Sequence, residues 1–410
     1  MNRTRYVFNN HLIALMKKTL SIFLPILFSW ACTSIEKPLS ENHESRLATL
    51  TRTSSTPQNT DNEHFLSVGE AIRRIESSGH NREIKSIKLQ NPNQDCSAYY
   101  EVSFLSGNKE GYAVLSSDSR VIEPICLVEN GSLSDTTRII PLQYFFRAIP
   151  DFIIAQRSEL DSLNKDFNGS EGTRSIPALD PDQSTLIDTY YTFTRDTVLK
   201  ILPVEWGQCP PLGTYINDDR GYCSVPAAVQ VMAYHKKSFS GYTASDWDDM
   251  ITGLNDTAIS DIGLQVYNSL YWLNNWIAPL PSHVVSFFQS TDYSSSTSSG
   301  YSFTSLIQKL QYGPVIFLGF YENAITHPWT GHYWIADGAI SHGMTTVYVY
   351  QHNQTGTIFE MEGNTFYNRW VHYNWGWSGS SNGWFSSGVF QPTSSDHNYS
   401  NSINMIEVEP

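Results

Sequence analysis

The stretch Arg220-Gly-Tyr-Cys-Ser-Val-Pro-Ala-Ala-Val-Gln-Val-Met-Ala-Tyr-His235 places a cysteine between a Gly-Tyr turn and an apolar segment. The segment is apolar nearly all round, which predicts a buried helix. Pro226 falls in the first turn, where proline costs no hydrogen bond. Unpaired N–H groups and the positive end of the helix dipole there favour the nucleophilic thiolate of Cys223. A plain core cysteine is the alternative, because Cys is often buried.

A candidate base lies 109 residues downstream, in Thr330-Gly-His-Tyr-Trp-Ile-Ala-Asp-Gly-Ala339. The alternating side chains predict a strand with His332 near its start. Cys–His pairs are usually assembled from residues far apart in sequence. The chain has 12 histidines, so a structural histidine is the alternative. The flanking Gly331 and Gly338 distinguish His332 from the others.

Two further blocks offer supporting groups. One block is Val371-His-Tyr-Asn-Trp-Gly-Trp-Ser-Gly-Ser-Ser-Asn-Gly-Trp-Phe385. In it, Asn374 is a candidate to accept a hydrogen bond from an imidazole N–H. Trp375 and Trp377 are candidates to exclude water from the Cys–His pair. An aromatic, glycine-rich turn is the alternative. Gln208 lies fifteen residues before Cys223, and its side-chain amide is a candidate oxyanion donor.

The order of these blocks resembles the streptopain-type cysteine peptidases, which are secreted bacterial enzymes with a papain-like fold. The matching segments are Trp206-Gly-Gln208, the helix after Cys223, Gly331-His332, Asp337-Gly338 and Asn374-Trp-Gly-Trp377. In the N-terminal half, Gly111-Tyr-Ala-Val-Leu-Ser-Ser-Asp-Ser-Arg120, Pro124 and Glu129-Asn-Gly131 resemble the strand-rich propeptide of that family.

The resemblance implies a role for each matching residue. Cys223 would be the nucleophile and His332 the general base and acid. Gln208 and the Cys223 N–H would form the oxyanion hole, while Asn374 and Trp375 would orient and shield the histidine. Peptides or proteins would be substrates, and the chain's own propeptide would be a partner. Such Cys–His chemistry needs no cofactor and no metal, and the sequence contains no HExxH or CxxC motif.

Two departures from the family pattern limit the transfer. The family's Gly-Cys-Val-Ala-Thr-Ala is Tyr222-Cys-Ser-Val-Pro-Ala227 here, so a bulky residue precedes the nucleophile. The stretch from Asp256 to Tyr301 has no counterpart in the pattern. Residues of a substrate pocket in that stretch therefore cannot be assigned.

Composition and charge restrict the partners. The 410 residues are 40% hydrophobic and 13% aromatic, enough for one or two sizeable cores. From residue 175 to the end, 7 Lys and Arg stand against 20 Asp and Glu. This acidic half argues against nucleic acid or an anionic membrane as its partner, since either requires a basic face. The cysteines beyond Cys32 show no disulfide framework, and the nucleophile must stay reduced.

The N-terminal residues predict export. Met16-Lys-Lys18 precedes a mostly apolar run of roughly 11 residues, which suits a signal peptide and is too short to span a bilayer. Ser29-Trp-Ala-Cys32 resembles a lipoprotein processing site despite the bulky Trp30. This pattern favours lipidation of Cys32 over plain secretion. The protein would then be an outer-membrane or cell-surface lipoprotein. Met16 is an alternative start.

The chain divides into five expected parts. These are a signal peptide (1–31), a polar lipoprotein tether (32–62), a propeptide domain (63–165), a cleavable linker without apolar side chains at its centre (166–178) and a peptidase domain (179–410). Expected propeptide elements are a helix from Ser67, strands Ile84–Leu89, Tyr99–Leu105 and Tyr112–Leu115, and a helix Tyr144–Leu163 that Pro150 kinks or starts.

In the peptidase part, helices come first and strands follow, which predicts an α+β fold with an antiparallel sheet. Expected helices are Ile262–Ile277 and Phe303–Gln311, with a serine-rich loop at Asp292–Ser302 before the second. Expected strands are Val315–Phe320, His332–Asp337, Thr346–Gln351, Thr357–Glu362, Arg369–Asn374 and Trp384–Phe390. The site is expected where the helix after Cys223 meets this sheet.

The sequence thus predicts a secreted or lipid-anchored cysteine endopeptidase made as a zymogen. A Cys–His acyl transferase or amidase without proteolytic activity is one alternative, because only the acceptor of the acyl group differs. A non-catalytic, aromatic-rich surface lipoprotein that binds glycan or protein is the other.

Overall fold

The structure is a computed structural model that describes residues 64–77, 82–92, 97–121, 124–137, 140–167, 184–217, 221–271, 279–320, 330–387 and 403–410. The expected signal peptide, Cys32, the tether and residues 168–178 of the linker lie outside these ranges. The described part is a mixed α+β fold with seven helices and one large antiparallel sheet, so the expected α+β class is confirmed. Within it, no helix has the length and apolarity required to cross a bilayer.

Helices occur in both halves of the chain. They are α1 (Val68–Ser77), α2 (Ile140–Phe167), α3 (Ser224–His235), α4 (Ala244–Ile251), α5 (Asp256–Leu270), α6 (Pro281–Ser290) and α7 (Phe303–Lys309), with a short 3-10 helix at Leu133–Thr137. The strands are β1 (Arg82–Gln90), β2 (Tyr99–Ser106), β3 (Lys109–Ser116), β4 (Cys126–Val128), β5 (Ser184–Val198), β6 (Ser294–Ser299), β7 (Val315–Phe320), β8 (Gly331–His352), β9 (Ile358–Asn374), β10 (Gly383–Ser386) and β11 (Asn404–Glu409).

All described strands belong to one sheet. Its order is β1-β2-β3-β4-β10-β9-β8-β7-β11-β6, and β5 pairs with the distal part of β8. Strands β4 and β10 join the N-terminal and C-terminal halves, with Leu127 opposite Trp384 and Cys126 opposite Phe385. The strands of the expected propeptide and of the expected peptidase therefore form a continuous antiparallel ladder.

The elements of the expected propeptide domain follow the sequence patterns closely. Ser67 caps α1 by accepting a hydrogen bond from the Glu70 N–H at 3.2 Å. The three expected strands form β1 to β3, and a tight turn joins β2 to β3. Helix α2 begins four residues before the expected helix and continues through Pro150. The buried side chains of Phe145 and Ile153 lie on either side of this proline, so packing of the helix outweighs one lost hydrogen bond.

Two differences concern strands of the C-terminal half. The expected pairs of short strands merge into the long β8 and β9, whose ladder runs from Ile335–Asn374 to Gln351–Ile358. The serine-rich segment is not a loop, because its residues form the edge strand β6 along β11. There the Ser295 hydroxyl donates to the Glu407 carbonyl at 2.8 Å.

Helix α3 is the central helix of the C-terminal core. Ten of its residues are buried, as its apolar sequence predicts. The helix packs on β8 and β7 and against α5, and it ends where Lys236 adopts a left-handed conformation. This packing directs the N-terminal end of α3 toward the beginning of β8.

Candidate active site

Cys223 occupies the N-cap of α3, directly before the first helical residue. Its side chain is buried, and its Sγ accepts a hydrogen bond from the backbone N–H of Tyr333 at 3.3 Å. Tyr333 follows His332 in β8. The structure therefore brings the candidate nucleophile and the candidate base to the same end of that strand.

His332 is buried among aromatic rings at the start of β8. Its ring stacks at 11° to that of Trp334, with centroids 6.1 Å apart. Its Nε2 lies 3.1 Å from the Trp375 carbonyl and 3.3 Å from the Trp377 indole nitrogen. One nitrogen cannot donate to the carbonyl and accept from the indole at once. A proton on Nε2 satisfies the Trp375 carbonyl and leaves Nδ1 unprotonated, whereas a proton on Nδ1 lets Nε2 accept from the Trp377 indole.

Burial controls the charge of both groups. Desolvation raises the pKa of the Cys223 thiol to about 11, although the N–H groups of Tyr333, Cys223 and Ser224 act to lower it. Desolvation also lowers the pKa of His332 to about 4, against the opposing effect of the Trp375 carbonyl. The expectation that the helix N-terminus favours a thiolate is therefore wrong for this conformation, because desolvation outweighs the helix dipole. Both groups are neutral at pH 7.

Gln208 lies beside the nucleophile. Its side-chain Oε1 accepts a hydrogen bond from the Tyr222 N–H at 2.6 Å, and its backbone carbonyl accepts one from the Tyr222 hydroxyl. These two bonds fix Gln208 against the residue that precedes Cys223. The amide nitrogen of the same side chain is the donor that an oxyanion hole requires.

The bulky Tyr222 does not obstruct this arrangement. Its ring is buried and meets Tyr267 edge to face, with centroids 6.0 Å apart. It anchors the loop before α3 in the core, and its hydroxyl and N–H hold Gln208. The tyrosine that departs from the family pattern thus has a clear packing role here.

Asn374 does not contact the imidazole in the way the sequence suggests. Its amide nitrogen donates to Gln230 Oε1 at 2.9 Å, and its Oδ1 accepts from the Gly376 N–H at 3.0 Å. The side chain is fully buried at the end of β9 and faces α3. The carbonyl of the next residue, Trp375, is the group that lies against His332.

We term residues 375–382 the aromatic loop. The Trp375 N–H donates to Asn382 Oδ1, and its indole N–H donates to the Ser381 carbonyl, both at 2.9 Å. Trp375 is fully buried. The centroid of the Trp377 ring lies 5.8 Å from that of the His332 ring. Trp377 therefore presents its ring to His332, whereas Trp375 contacts His332 through its carbonyl.

The sequence analysis missed Glu205 as a support of the aromatic loop. Its carboxylate pairs with Lys200 and lies so close to Gly379 that a Cβ there would meet Glu205 Oε2. The Lys200 ammonium and Asn382 hold the pKa of Glu205 below its usual value, although burial acts to raise it. An acidic residue immediately before the Trp206-Gly-Gln208 segment was the available signal.

A buried carboxylate–histidine pair lies behind the site. Asp337 Oδ1 is 2.5 Å from His372 Nδ1, and both residues are buried. Asp337 belongs to the segment that carries the family resemblance, but no role was assigned to it. The pair connects β8 to β9, close to the point where both strands reach the site.

Two further thiols lie among the described residues. Cys209 is half-buried and Cys126 is buried in the N-terminal half, and neither forms a disulfide there, nor does Cys223. Among the residues that the structure describes, no three His, Cys, Asp or Glu side chains are grouped so as to hold a metal ion.

Comparison with known proteins yields no relative: no family model, no curated protein and no solved structure matches this chain. The site geometry and the sequence pattern are therefore the basis for the function proposed below.

Proposed function

We propose that this chain is a streptopain-type cysteine endopeptidase, with a papain-like peptidase domain in residues 179–410 and a propeptide domain in residues 63–165. The observation that carries the proposal is the position of the Cys223 thiol. It lies at the N-terminal end of a buried helix and against the backbone of Tyr333, the residue next to His332.

The proposed reaction begins from the neutral pair. His332 removes the thiol proton as Cys223 Sγ attacks the peptide carbonyl carbon, and the Gln208 amide and the Cys223 N–H stabilise the oxyanion. The C–N bond then breaks as the imidazolium protonates the leaving amine, which leaves a thioester. Water, deprotonated by His332, attacks the thioester and releases the acid and the free thiol.

The buried, neutral pair is the state expected of a precursor. A peptidase needs substrate access to its thiol, whereas Cys223 and His332 are both about 8% exposed. We propose that cleavage in the linker at 166–178 converts this precursor to the active form. Export as a lipoprotein anchored through Cys32, or as a secreted protein, would place the enzyme at the cell surface with peptides or proteins as substrates.

Hydrolysis of a fluorogenic peptide by the exported product tests the proposal. Cys223→Ala and His332→Ala are expected to abolish turnover while circular dichroism stays unchanged, since alanine is an excellent helix former. Cys209→Ala is the matched control and is expected to retain activity. More than trace hydrolysis by Cys223→Ala would reject this mechanism.

The same assay separates the alternatives. With an added amine acceptor, an acyl transferase forms an amide product and little free acid, whereas a peptidase forms mainly the acid. If Cys223 reacts with a thiol-directed probe no faster than a buried, inert cysteine does, even after linker cleavage, the chain is a binding protein instead.

A further inference from the structure

We infer that the N-terminal part, residues 64–167, stays bound to the C-terminal part, residues 184–410, after the linker between them is cut. Cleavage would then produce a two-chain molecule rather than a released propeptide, and activation would have to come from a rearrangement after the cut rather than from loss of the N-terminal part. The inference concerns association alone, so it holds whether or not the chain proves to be a peptidase.

The first support is the sheet itself. Strand β4 is the neighbour of β10, and the Ser386 N–H continues the ladder by donating to the Ile125 carbonyl at 2.7 Å. Strand β10 now lies inside the sheet, and loss of the N-terminal part would make it an exposed edge strand. Exposed edges of this kind drive aggregation in sheet proteins.

The second support is a hydrophobic core that both parts build. One continuous cluster contains Phe145 and Ile149 from α2 together with Trp375 and Phe385 from the region of the site. Phe145 and Phe385 are fully buried and meet edge to face, with centroids 4.9 Å apart. Separation would expose both rings to water, which opposes dissociation.

The third support is a set of polar contacts to the aromatic loop. The Ser381 N–H donates to the Asn130 carbonyl at 2.7 Å, and the Ser381 hydroxyl donates to Asp135 Oδ2 at 3.0 Å. The Ser381 carbonyl in turn accepts from the indole of Trp375, the residue whose carbonyl lies against His332. The N-terminal part thus supports the loop at the candidate site.

A fourth contact lies at the far end of α2. Val121 and Leu160 from the N-terminal part form a small buried cluster with Phe366 on β9. The Gln156 amide nitrogen lies 3.4 Å from Asn368 Oδ1 on the same strand. The interface therefore extends along α2 from the aromatic loop to the middle of β9.

Controlled cleavage of the full chain tests this inference. The protein carries Cys223→Ala to prevent self-cleavage, and a recognition site for a sequence-specific protease is inserted between residues 168 and 178. After a denaturing gel shows complete cleavage, both pieces are expected to co-elute in size-exclusion chromatography at the volume of the uncut chain. They should separate only in urea that also abolishes the near-ultraviolet circular dichroism.

A matched pair of glycine substitutions probes the β4–β10 junction. A Cβ at Gly383 would lie 2.7 Å from the Leu127 carbonyl on β4, whereas a Cβ at Gly69 on α1 meets nothing within 4 Å. Gly383→Ala is expected to lower the urea midpoint for separation of the cut pieces, and Gly69→Ala is not. Elution of the N-terminal piece on its own in plain buffer, while the C-terminal piece keeps its near-ultraviolet spectrum, would overturn the inference.

Discussion

At the scale of single residues, the thiol of Cys223 shows how two opposing effects combine. Three backbone N–H groups favour its thiolate, but removal from water disfavours that anion more strongly. A helix N-terminus activates a cysteine only where solvent or a charged partner also reaches it. In the proposed mechanism, attack by Cys223 from this conformation therefore requires His332 to accept the thiol proton during the reaction.

The raised thiol pKa predicts slow alkylation of the uncut chain at neutral pH. Only the thiolate reacts with iodoacetamide, so the rate at Cys223 should increase about tenfold per pH unit up to a pKa of about 11. Mass spectrometry of the Cys223 peptide across this pH range measures the rate, and the half-buried Cys209 serves as internal control. An alkylation rate that reaches its plateau below pH 8 would contradict a raised pKa of the Cys223 thiol.

The contacts of Asn374 predict a mild phenotype. Asn374→Ala removes bonds to Gln230 and Gly376 but none to the imidazole, so kcat should fall about tenfold. His332→Ala removes the proton acceptor itself and should cost at least about 10²- to 10⁴-fold. Equal losses in the two variants would mean that Asn374 orients the imidazole directly in the active form.

Gln208→Ala is expected to lower kcat roughly a hundredfold, the effect of losing one oxyanion donor. KM should change little if the amide acts only on the transition state. Gln208→Glu, which keeps the acceptor for the Tyr222 N–H but removes the donor, is the informative comparison. An unchanged kcat in both variants would exclude Gln208 from the oxyanion hole.

At the scale of elements, the aromatic loop depends on two glycines with positive φ. Gly379 has φ +80° and faces Glu205, and Gly376 has φ +72° beside Pro226 of α3. These glycines permit turns that place the Trp375 carbonyl against His332 while the loop packs on the segment before Gln208. The loop is thus in contact with Glu205 on one side and with Pro226 of α3 on the other.

Gly379→Ala should weaken the support that Glu205 gives the aromatic loop. The new Cβ would meet Glu205 Oε2, the end of a flexible side chain, so this carboxylate must shift, in addition to the strain of about 1–2 kcal/mol that alanine meets at positive φ. Gly253→Ala is the matched control, with φ +75° and open space around its Cβ. We expect kcat about tenfold lower in Gly379→Ala than in Gly253→Ala. Similar activity in the two variants would show that loop position is unimportant.

Local patterns predicted the elements that have strong local signals. The apolar helix after Cys223, the hairpin of β2 and β3, and β7 follow from periodicity and turn residues. The serine-rich β6 carries no such pattern, because it becomes a strand only through its pairing with β11. The same holds for β5, which is exposed along most of its length and pairs only with β8 among the described strands.

At the scale of the whole molecule, an uncleavable linker should keep activity low. Two basic residues are candidate cleavage points: Lys165, in the last turn of α2 just before the linker, and Arg174 within it. If burial of the Cys223–His332 pair reflects a precursor, replacing both with residues that proteases do not recognise should leave full-length protein of low peptidase activity. Wild-type protein should mature to a fragment that begins near Ser175, as N-terminal mass spectrometry can show. Full activity of the uncleavable protein would mean that the N-terminal part is not inhibitory.

The sequence predicted which residues meet at the site better than how they meet. The order of blocks correctly brought Gln208, Cys223, His332 and Trp375 into one region. The side-chain contact expected of Asn374 was wrong, because a backbone carbonyl at Trp375 takes its place and carbonyl directions depend on the three-dimensional fold. Desolvation at Cys223 likewise depends on packing from elements distant in the chain.

The position of β11 has a consequence for biosynthesis. This strand lies between β7 and β6, with Ile406 opposite both Ile316 and Thr297. The sheet therefore cannot close on that side until residue 409 has left the ribosome. Hairpins such as β2–β3 can form much earlier, since they depend on local contacts. The apolar surfaces of the unfinished sheet are open to aggregation until β11 is delivered, so we expect a chaperone to bind the growing chain up to that point.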